Sequence, residues 1–307
     1  MKRVLVTPRS LTKSGHPALR RLADAGYEVV FSAPGVQPGE AELLEKLPGC
    51  AGHLAGVEKV SARVLEAAAP TLKVIARNGV GIDNVDLAAA RRLDLAVLPA
   101  LGANARGVAE LAIALLLALA RAIPASDAHL KAGQWQRREG LELEGKTLGL
   151  VGCGRIGREV ARMACGLGMN VVAYDPCPPP VPLEGVRLAP LDEVLAAADA
   201  VSLHCPAQPD GKPLIDGRAL AAMKRGACLI NTARASLLDA AAVLAALDDG
   251  RLAGLATDVF EHEPPGDDPL ALHPNVIATP HVGGYTKEGV DRAVGAAVDN
   301  LLEGLGA

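Results

Sequence analysis

Three short segments in the C-terminal half carry side chains that together could move a proton beside a carboxylate. Arg234 closes Asn231-Thr232-Ala233-Arg234, Glu263 lies in the run from Asp258 to Pro264, and His281 lies in Thr279-Pro280-His281-Val282-Gly283-Gly284. Histidine is the side chain whose ordinary pKa suits proton exchange in both directions near neutrality. A carboxylate next to a histidine favours the imidazolium and fixes the ring's orientation. The forked donors of an arginine can bind a substrate carboxylate and polarise the carbonyl beside it. This set suits removal of a hydroxyl proton from a secondary alcohol while hydride leaves the same carbon. His204 sits at a strand end where a cofactor could touch it, without being given the proton. His16, His53, His262 and His273 read as satisfied loop histidines, and Glu261 with Asp267 and Asp268 as a solvated acidic face. No His, Cys, Asp or Glu set has ligand spacing, so no metal is expected.

A departing hydride needs an acceptor, and the chain carries a fingerprint for one. Leu148 and Leu150 read as a buried strand that runs into Val151-Gly152-Cys153-Gly154-Arg155-Ile156-Gly157. Ile156, Val160, Met163 and Leu167 then recur at helical spacing, and Asn170–Tyr174 reads as a second buried strand that ends in Asp175. Strand, glycine turn, helix, strand and acid form the order of a dinucleotide-binding unit. Gly152 allows the tight turn, Gly154 lets a pyrophosphate approach, and Gly157 lets helix and strand pack closely. The helix N-terminus offers N–H groups and a positive dipole end to the phosphates, with Arg155 beside it. Asp175 can accept from both ribose hydroxyls and repels a 2′-phosphate, which favours NAD over NADP.

The elements that must position these residues alternate along the chain. Strands fit Val4–Thr7, Glu28–Phe31, His53–Ala55, Lys73–Arg77 and Leu95–Leu98, with helices at His16–Ala25, Glu40–Leu47, Ser61–Ala68 and Leu87–Arg92. The later half repeats the pattern, with helices at Leu191–Ala198 and Leu238–Leu247. Its strands fit Ala200–His204, Ala227–Asn231, Gly254–Asp258 and Val276–Thr279. Such alternation predicts α/β architecture: two Rossmann-like, doubly wound parallel-sheet domains with the cleft between them. Asn104 is expected to cap a long helix through Arg121, and the proline-rich run Pro176–Pro182 to be a stiff loop. Thr286–Leu302 should run helically and pack back on the first half. The domains are therefore residues 1–98 plus 285–307, flavodoxin-like, and residues 99–284, binding the dinucleotide. Two loops of the first half follow strands and suit a ligand's carboxylate: Ala55-Gly56, with Lys59 nearby, and Asn78-Gly79-Val80-Gly81.

Composition narrows the class. Half of the 307 residues are apolar but only 2% are aromatic, so the core must be aliphatic, as in sheets covered on both faces. A net charge of −4 gives no reason to expect nucleic acid or an anionic membrane as partner. The longest apolar stretch, Leu111–Ala120, is too short to span a bilayer and reads as a buried helix. Six cysteines without a CxxC pair read as reduced core residues of a cytoplasmic protein. The N-terminus reads as a strand, so no leader is expected. Trp135, in the polar Lys131–Gly145 connection, could be a surface anchor or a subunit contact.

These motifs together resemble the D-isomer-specific 2-hydroxyacid dehydrogenases, in their phosphoglycerate dehydrogenase-like branch, over essentially the whole chain. The fingerprint with Asp175 is similar to the family's NAD site; Asn231–Arg234, Asp258–Phe260 with Glu263-Pro264, and Thr279–His281 are similar to its three catalytic segments. Leu203-His204-Cys205-Pro206 is similar to the segment along the cofactor, and Asn104 with Val108-Ala109-Glu110 to the start of the interdomain helix. The resemblance implies NAD-dependent interconversion of a small D-2-hydroxyacid and its 2-oxoacid, with Arg234, Glu263 and His281 as catalytic residues. It further implies cofactor contacts at Asn104, Thr232, Ala233, Asp258, Gly283 and Gly284, and a homodimer around the helix after Asn104. The substrate loops depart from the pattern. Ala55-Gly56 stands where phosphoglycerate-type members carry Arg-Ser, so 3-phosphoglycerate competes with glyoxylate, hydroxypyruvate or another short acid. The chain ends at Ala307, and serine feedback through a C-terminal regulatory domain is not expected. A corepressor-like NAD-sensing protein is the alternative from another class. Formate dehydrogenase is disfavoured, because the family form of that enzyme has glutamine where this chain has Glu263.

Overall fold

Strands with no polar face need cover on both sides, and the chain supplies it twice. The computed structural model describes residues 1–178 and 183–306. Of the proline-rich run, Pro179, Pro180 and Pro182 lie outside the described residues. The chain divides into two compact units, Met1–Asn104 with the segment from Thr286, and Ala105–Tyr285.

The first unit holds five parallel strands: β1 (Lys2–Val6), β2 (Tyr27–Phe31), β3 (Cys50–Ala55), β4 (Val74–Arg77) and β5 (Ala96–Pro99). Their order is β2-β1-β3-β4-β5, which reverses direction between β1 and β3. Helices α1 (Arg9–Ser14) and α2 (Arg20–Asp24) cover one face together with the C-terminal helix Lys287–Leu305, whose Val294, Ala297, Val298 and Leu301 are fully buried. Helices α3 (Glu40–Lys46), α4 (Ala62–Ala68) and α5 (Leu87–Arg92) cover the other. Ser61 and Asp86 cap α4 and α5 by accepting from Val64 N and Ala89 N, which sets where those helices begin. Each fully buried leucine of these layers contributes about 2 kcal/mol by leaving water. The first crossing between units falls at Asn104, six residues beyond 98, because Ala100 and Ala103 pack with Ala293 of the C-terminal helix.

The second unit begins with α6 (Ala105–Ala120) and α7 (Ile123–Lys131). Its strands and helices follow as β6 (Thr147–Val151), α8 (Arg155–Gly166), β7 (Asn170–Tyr174), β8 (Val186–Leu188), α9 (Leu191–Ala197), β9 (Ala200–Leu203) and α10 (Gly217–Ala222). Then come β10 (Ala227–Asn231), α11 (Ala240–Asp248), β11 (Leu252–Thr257), α12 (Pro269–Leu272) and β12 (Val276–Ala278). All seven strands are parallel, in the order β12-β11-β10-β9-β6-β7-β8. The order reverses between β6 and β9, the position where a doubly wound sheet binds a dinucleotide. Helices α6 and α8 pack on one face and α9, α10 and α11 on the other, against aliphatic side chains throughout.

Several details differ from the sequence reading. The helix expected from His16 starts as a single 3-10 turn at Pro17–Leu19 before α2, because the His16 ring caps it by accepting from Ala18 N. Asn104 does not cap α6 through its side-chain oxygen, which is buried without a partner. Helices α1 and α7 bury almost nothing, Leu11 in α1 and no residue in α7, so no apolar period marks them in the sequence. Strand β8 is a three-residue edge outside β7. No single described helix is long and apolar enough to cross a membrane, although α6 and α7 pass together as a pair bent by 61°.

Candidate active site

Register brings the fingerprint and its partners together in the second unit. Val151 at the end of β6 pairs with Leu203 of β9 and Tyr174 of β7, so Gly152, His204 and Asp175 leave neighbouring strands side by side. Gly152 has φ of +99°, and a Cβ there would meet the carbonyl carbon of His204 at 2.6 Å. A Cβ at Gly157 would meet the carbonyl oxygen of Gly152 at 2.1 Å. Both positions therefore require glycine. Gly154 precedes the first residue of α8, and a Cβ there would meet nothing within 4 Å. Arg155 is exposed next to it, and Ile156 turns into the core beneath. Asp175 binds the loop from below: its carboxylate accepts from Cys153 N at 2.7 Å and from Cys177 N at 2.8 Å.

The strand-end segment His204-Cys205-Pro206 borders this turn. His204 Nε2 lies 2.9 Å from Ser202 Oγ, and its Nδ1 is buried without a partner. Burial lowers the His204 pKa to about 4, so the ring is neutral at neutral pH. Burial pushes the Cys205 thiol up to about 11, with the Asp175 charge adding to it. Thr232 Oγ1, farther along the same edge, is also buried and unpartnered. Unsatisfied buried polar atoms are costly. Orphans at strand ends beside a glycine turn that is close-packed at Gly152 and Gly157 and open at Gly154 fit a dinucleotide, whose phosphates Gly152–Gly157 would hold and whose ribose Asp175 would bind.

The three segments that carry Arg234, Glu263 and His281 leave β10, β11 and β12, which are consecutive in the sheet. Asn231, fully buried at the end of β10, sets the first: its amide donates to Arg234 O at 2.8 Å and accepts from Ala233 N at 3.1 Å. Arg234 is half-buried, and its Nη1 donates to Ala233 O at 2.8 Å. Asp258, 2% exposed after β11, sets the third. Its Oδ1 accepts from Thr279 Oγ1 at 2.6 Å and Val282 N at 2.8 Å, and its Oδ2 accepts from Gly283 N at 2.8 Å. Asp258 is thus committed to the His281 loop, a role the sequence reading had not assigned. Gly284 follows, half-buried. The His281 side chain is 54% exposed, and its Nδ1 lies 2.9 Å from both oxygens of Glu263, itself 40% exposed. Glu263 Oε1 also accepts from Phe260 N at 3.3 Å. With Nδ1 turned to a carboxylate, Nε2 is the ring atom left to exchange a proton. Among the described residues no group of His, Cys, Asp and Glu could hold a metal ion.

In the first unit, Ala55 and Gly56 are buried at the end of β3, and Lys59 is exposed. Asn78, Gly79, Val80 and Gly81 are half-buried after β4. The N–H groups of Val80 and Gly81 have no partner among the described residues, and Asn78 Oδ1 is buried without one. Consecutive unpaired amides on a glycine loop make a concavity for an anion. His53 is not a loop residue: it is fully buried in β3 beside Thr7 and Glu58. The partner that its own segment could not signal is Thr7, 46 residues earlier in the chain.

Comparison with known proteins gives the chain's family and its structural relatives. Residues 113–283 match the family model for the D-isomer specific 2-hydroxyacid dehydrogenase, NAD binding domain. The D-3-phosphoglycerate dehydrogenase of Rattus norvegicus is 40% identical over 288 residues, covering 92% of this chain and 53% of that protein. The chain therefore spans about half the length of the curated relatives it matches. Among solved structures, the TT0316 protein from Thermus thermophilus is 41% identical with a TM-score of 0.88, covering 99% of this chain and 97% of that one. A glyoxylate reductase from Paecilomyes thermophila is 28% identical with a TM-score of 0.89, covering 99% and 95%.

Proposed function

The chain belongs to the D-isomer specific 2-hydroxyacid dehydrogenases, whose NAD binding domain its second unit carries, and from that premise we propose that it interconverts a small D-2-hydroxyacid and its 2-oxoacid. Bound NAD supplies the hydride acceptor, and NADH the donor in reverse. His281 takes the hydroxyl proton at Nε2 as the alcohol is oxidised and returns it on reduction. Glu263 accepts the Nδ1–H and holds the ring in that tautomer. Arg234 binds the substrate carboxylate and polarises the carbonyl. In the first unit, the amides of Val80 and Gly81, unpaired among the described residues, suit a carboxylate.

One observation carries this reading: a histidine paired with a carboxylate follows the same sheet edge that ends in the glycine turn. The test is NADH consumption with a panel of 2-oxoacids, phosphorylated and not. Absence of turnover with every member would favour an NAD-sensing binding protein instead.

We further propose a cytoplasmic homodimer. Helix α7 buries no residue, and Ile123, Leu130, Trp135 and Leu141 are exposed along 123–145, with Trp135 83% exposed. A single chain gains nothing from an apolar run in water, so a second copy is the expected cover. Sedimentation should give twice the chain mass, and W135A with L130A should lower it. All six cysteines are free thiols, which suits a reducing compartment; imaging of a tagged chain tests the location.

A further inference from the structure

The first sheet reverses its strand order between β1 and β3, and an open α/β sheet ordinarily opens a ligand crevice at that point. Here the crevice is filled. Thr7 follows β1, His53 lies in β3 and Glu58 follows it, and all three are buried. His53 Nε2 lies 3.1 Å from Thr7 Oγ1 and 3.3 Å from Glu58 Oε1. The Thr7 hydroxyl contacts the same Glu58 oxygen and lies 3.1 Å from Leu54 O. Gly56 N–H, the amide that a ligand at this strand end would meet, instead donates to Glu58 Oε1 at 2.9 Å. Asn84 Nδ2 ties down the remaining carbonyls, Gly56 O at 3.2 Å and Glu58 O at 2.7 Å.

The knot also dictates what position 56 can be. A Cβ there would lie 2.7 Å from Glu58 Oε2 and 3.2 Å from Pro8 Cα. No side chain can project from that position without displacing the carboxylate or the backbone after β1. Position 56 therefore presents neither a cation nor an unpaired amide. Behind it stands a carboxylate that its hydrogen bonds keep ionised. A second anionic group placed here would meet a buried negative charge and no donor from Gly56. The neighbouring loop after β4 is the reverse: Arg77 lies over Gly79 and donates to Asn78 O, and the Val80 and Gly81 amides are unpaired. That loop suits one carboxylate.

We infer that the Thr7–His53–Glu58 knot excludes a substrate's second anionic group, so that the substrate is a short 2-hydroxyacid with an uncharged tail rather than a phosphorylated one. This rests on the dehydrogenase reading above. Glu58 acts as a positioning residue for specificity and not as a catalytic one.

The experiment compares two three-carbon 2-oxoacids that differ only at C3, hydroxypyruvate and 3-phosphohydroxypyruvate, in kcat/KM with NADH. Calorimetric binding of D-glycerate and 3-phosphoglycerate in the presence of NAD runs in parallel. The native protein should favour the unphosphorylated partner at least about tenfold in both measurements. E58Q, which keeps the size and removes the charge, should shift the ratio toward the phosphorylated compound about tenfold. E58D should keep the native ratio. A merely structural role would lower both activities and the melting temperature together and leave the ratio unmoved, which overturns the inference. So does a native preference for the phosphorylated compound. Failure to reduce any 2-oxoacid overturns the dehydrogenase reading, while the binding ratio still decides for or against the knot.

Discussion

Nδ1 of His281 lies 2.9 Å from both carboxylate oxygens of Glu263, on a residue whose backbone holds φ at +53°. A side chain in the left-handed region is unfavourable unless its surroundings hold it there. The holding group is Asp258, which binds Val282 N and Gly283 N directly after the histidine. The His281 ring and the loop that carries it are thus held by two different carboxylates, one exposed and one buried.

Replacement of the histidine separates chemistry from binding. H281A should lose about a thousandfold in kcat and still bind NADH, as followed by quenching or enhancement of nicotinamide fluorescence. Full turnover in that variant would remove His281 as the acid/base.

The buried carboxylate should matter nearly as much, although it transfers no proton. D258N offers one acceptor oxygen where two now receive three donors. A loss of about 1–3 kcal/mol in stability is expected, with kcat down about a hundredfold from a displaced His281. Denaturant melts and steady-state kinetics measure the two effects. A variant of native stability and rate would show that the loop holds its shape unaided.

Cofactor choice is expected to depend on Asp175. D175A should raise KM for NADH about tenfold and relax the discrimination against NADPH. Because Cys153 N and Cys177 N also lose their acceptor, part of that loss should persist with NADPH. Equal use of NADH and NADPH by the native protein would contradict the assignment.

Acid should weaken the fold through two groups in succession. Burial lowers His204 from 6.5 to about 4. The unfolded chain therefore binds the proton first, and stability falls by up to about 3 kcal/mol as pH drops across that interval. For Glu58, burial acts to raise the pKa, but hydrogen bonds from His53 and Thr7 prevail and bring it from 4.5 down to about 2. Its contribution is complete above the upper value and is lost as pH falls toward the lower one. Thermal melts from neutral pH to pH about 3 should show both losses, and H204Q should flatten the first. An unchanged melting temperature across the upper interval would refute the role given to His204.

Much of this protein is legible in its sequence because the signals are local. The turn from Gly152 to Gly157 is recognisable since glycine spacing, strand and helix lie within one continuous segment. Asn231–Arg234, Glu263 and His281 stand out because each follows an apolar strand, and parallel strands present their C-terminal ends on one edge. What only the tertiary structure decided involves residues far apart in the chain. Parallel pairing brings Leu5 beside His53, and with it Thr7 beside Glu58, so a histidine that read as a satisfied loop residue is part of a buried knot. Asp258 becomes the support of the His281 loop only because β11 and β12 are neighbours. A sequence displays its own periodicities and turn residues, but a buried carboxylate takes its meaning from its donors, and the fold alone chooses those.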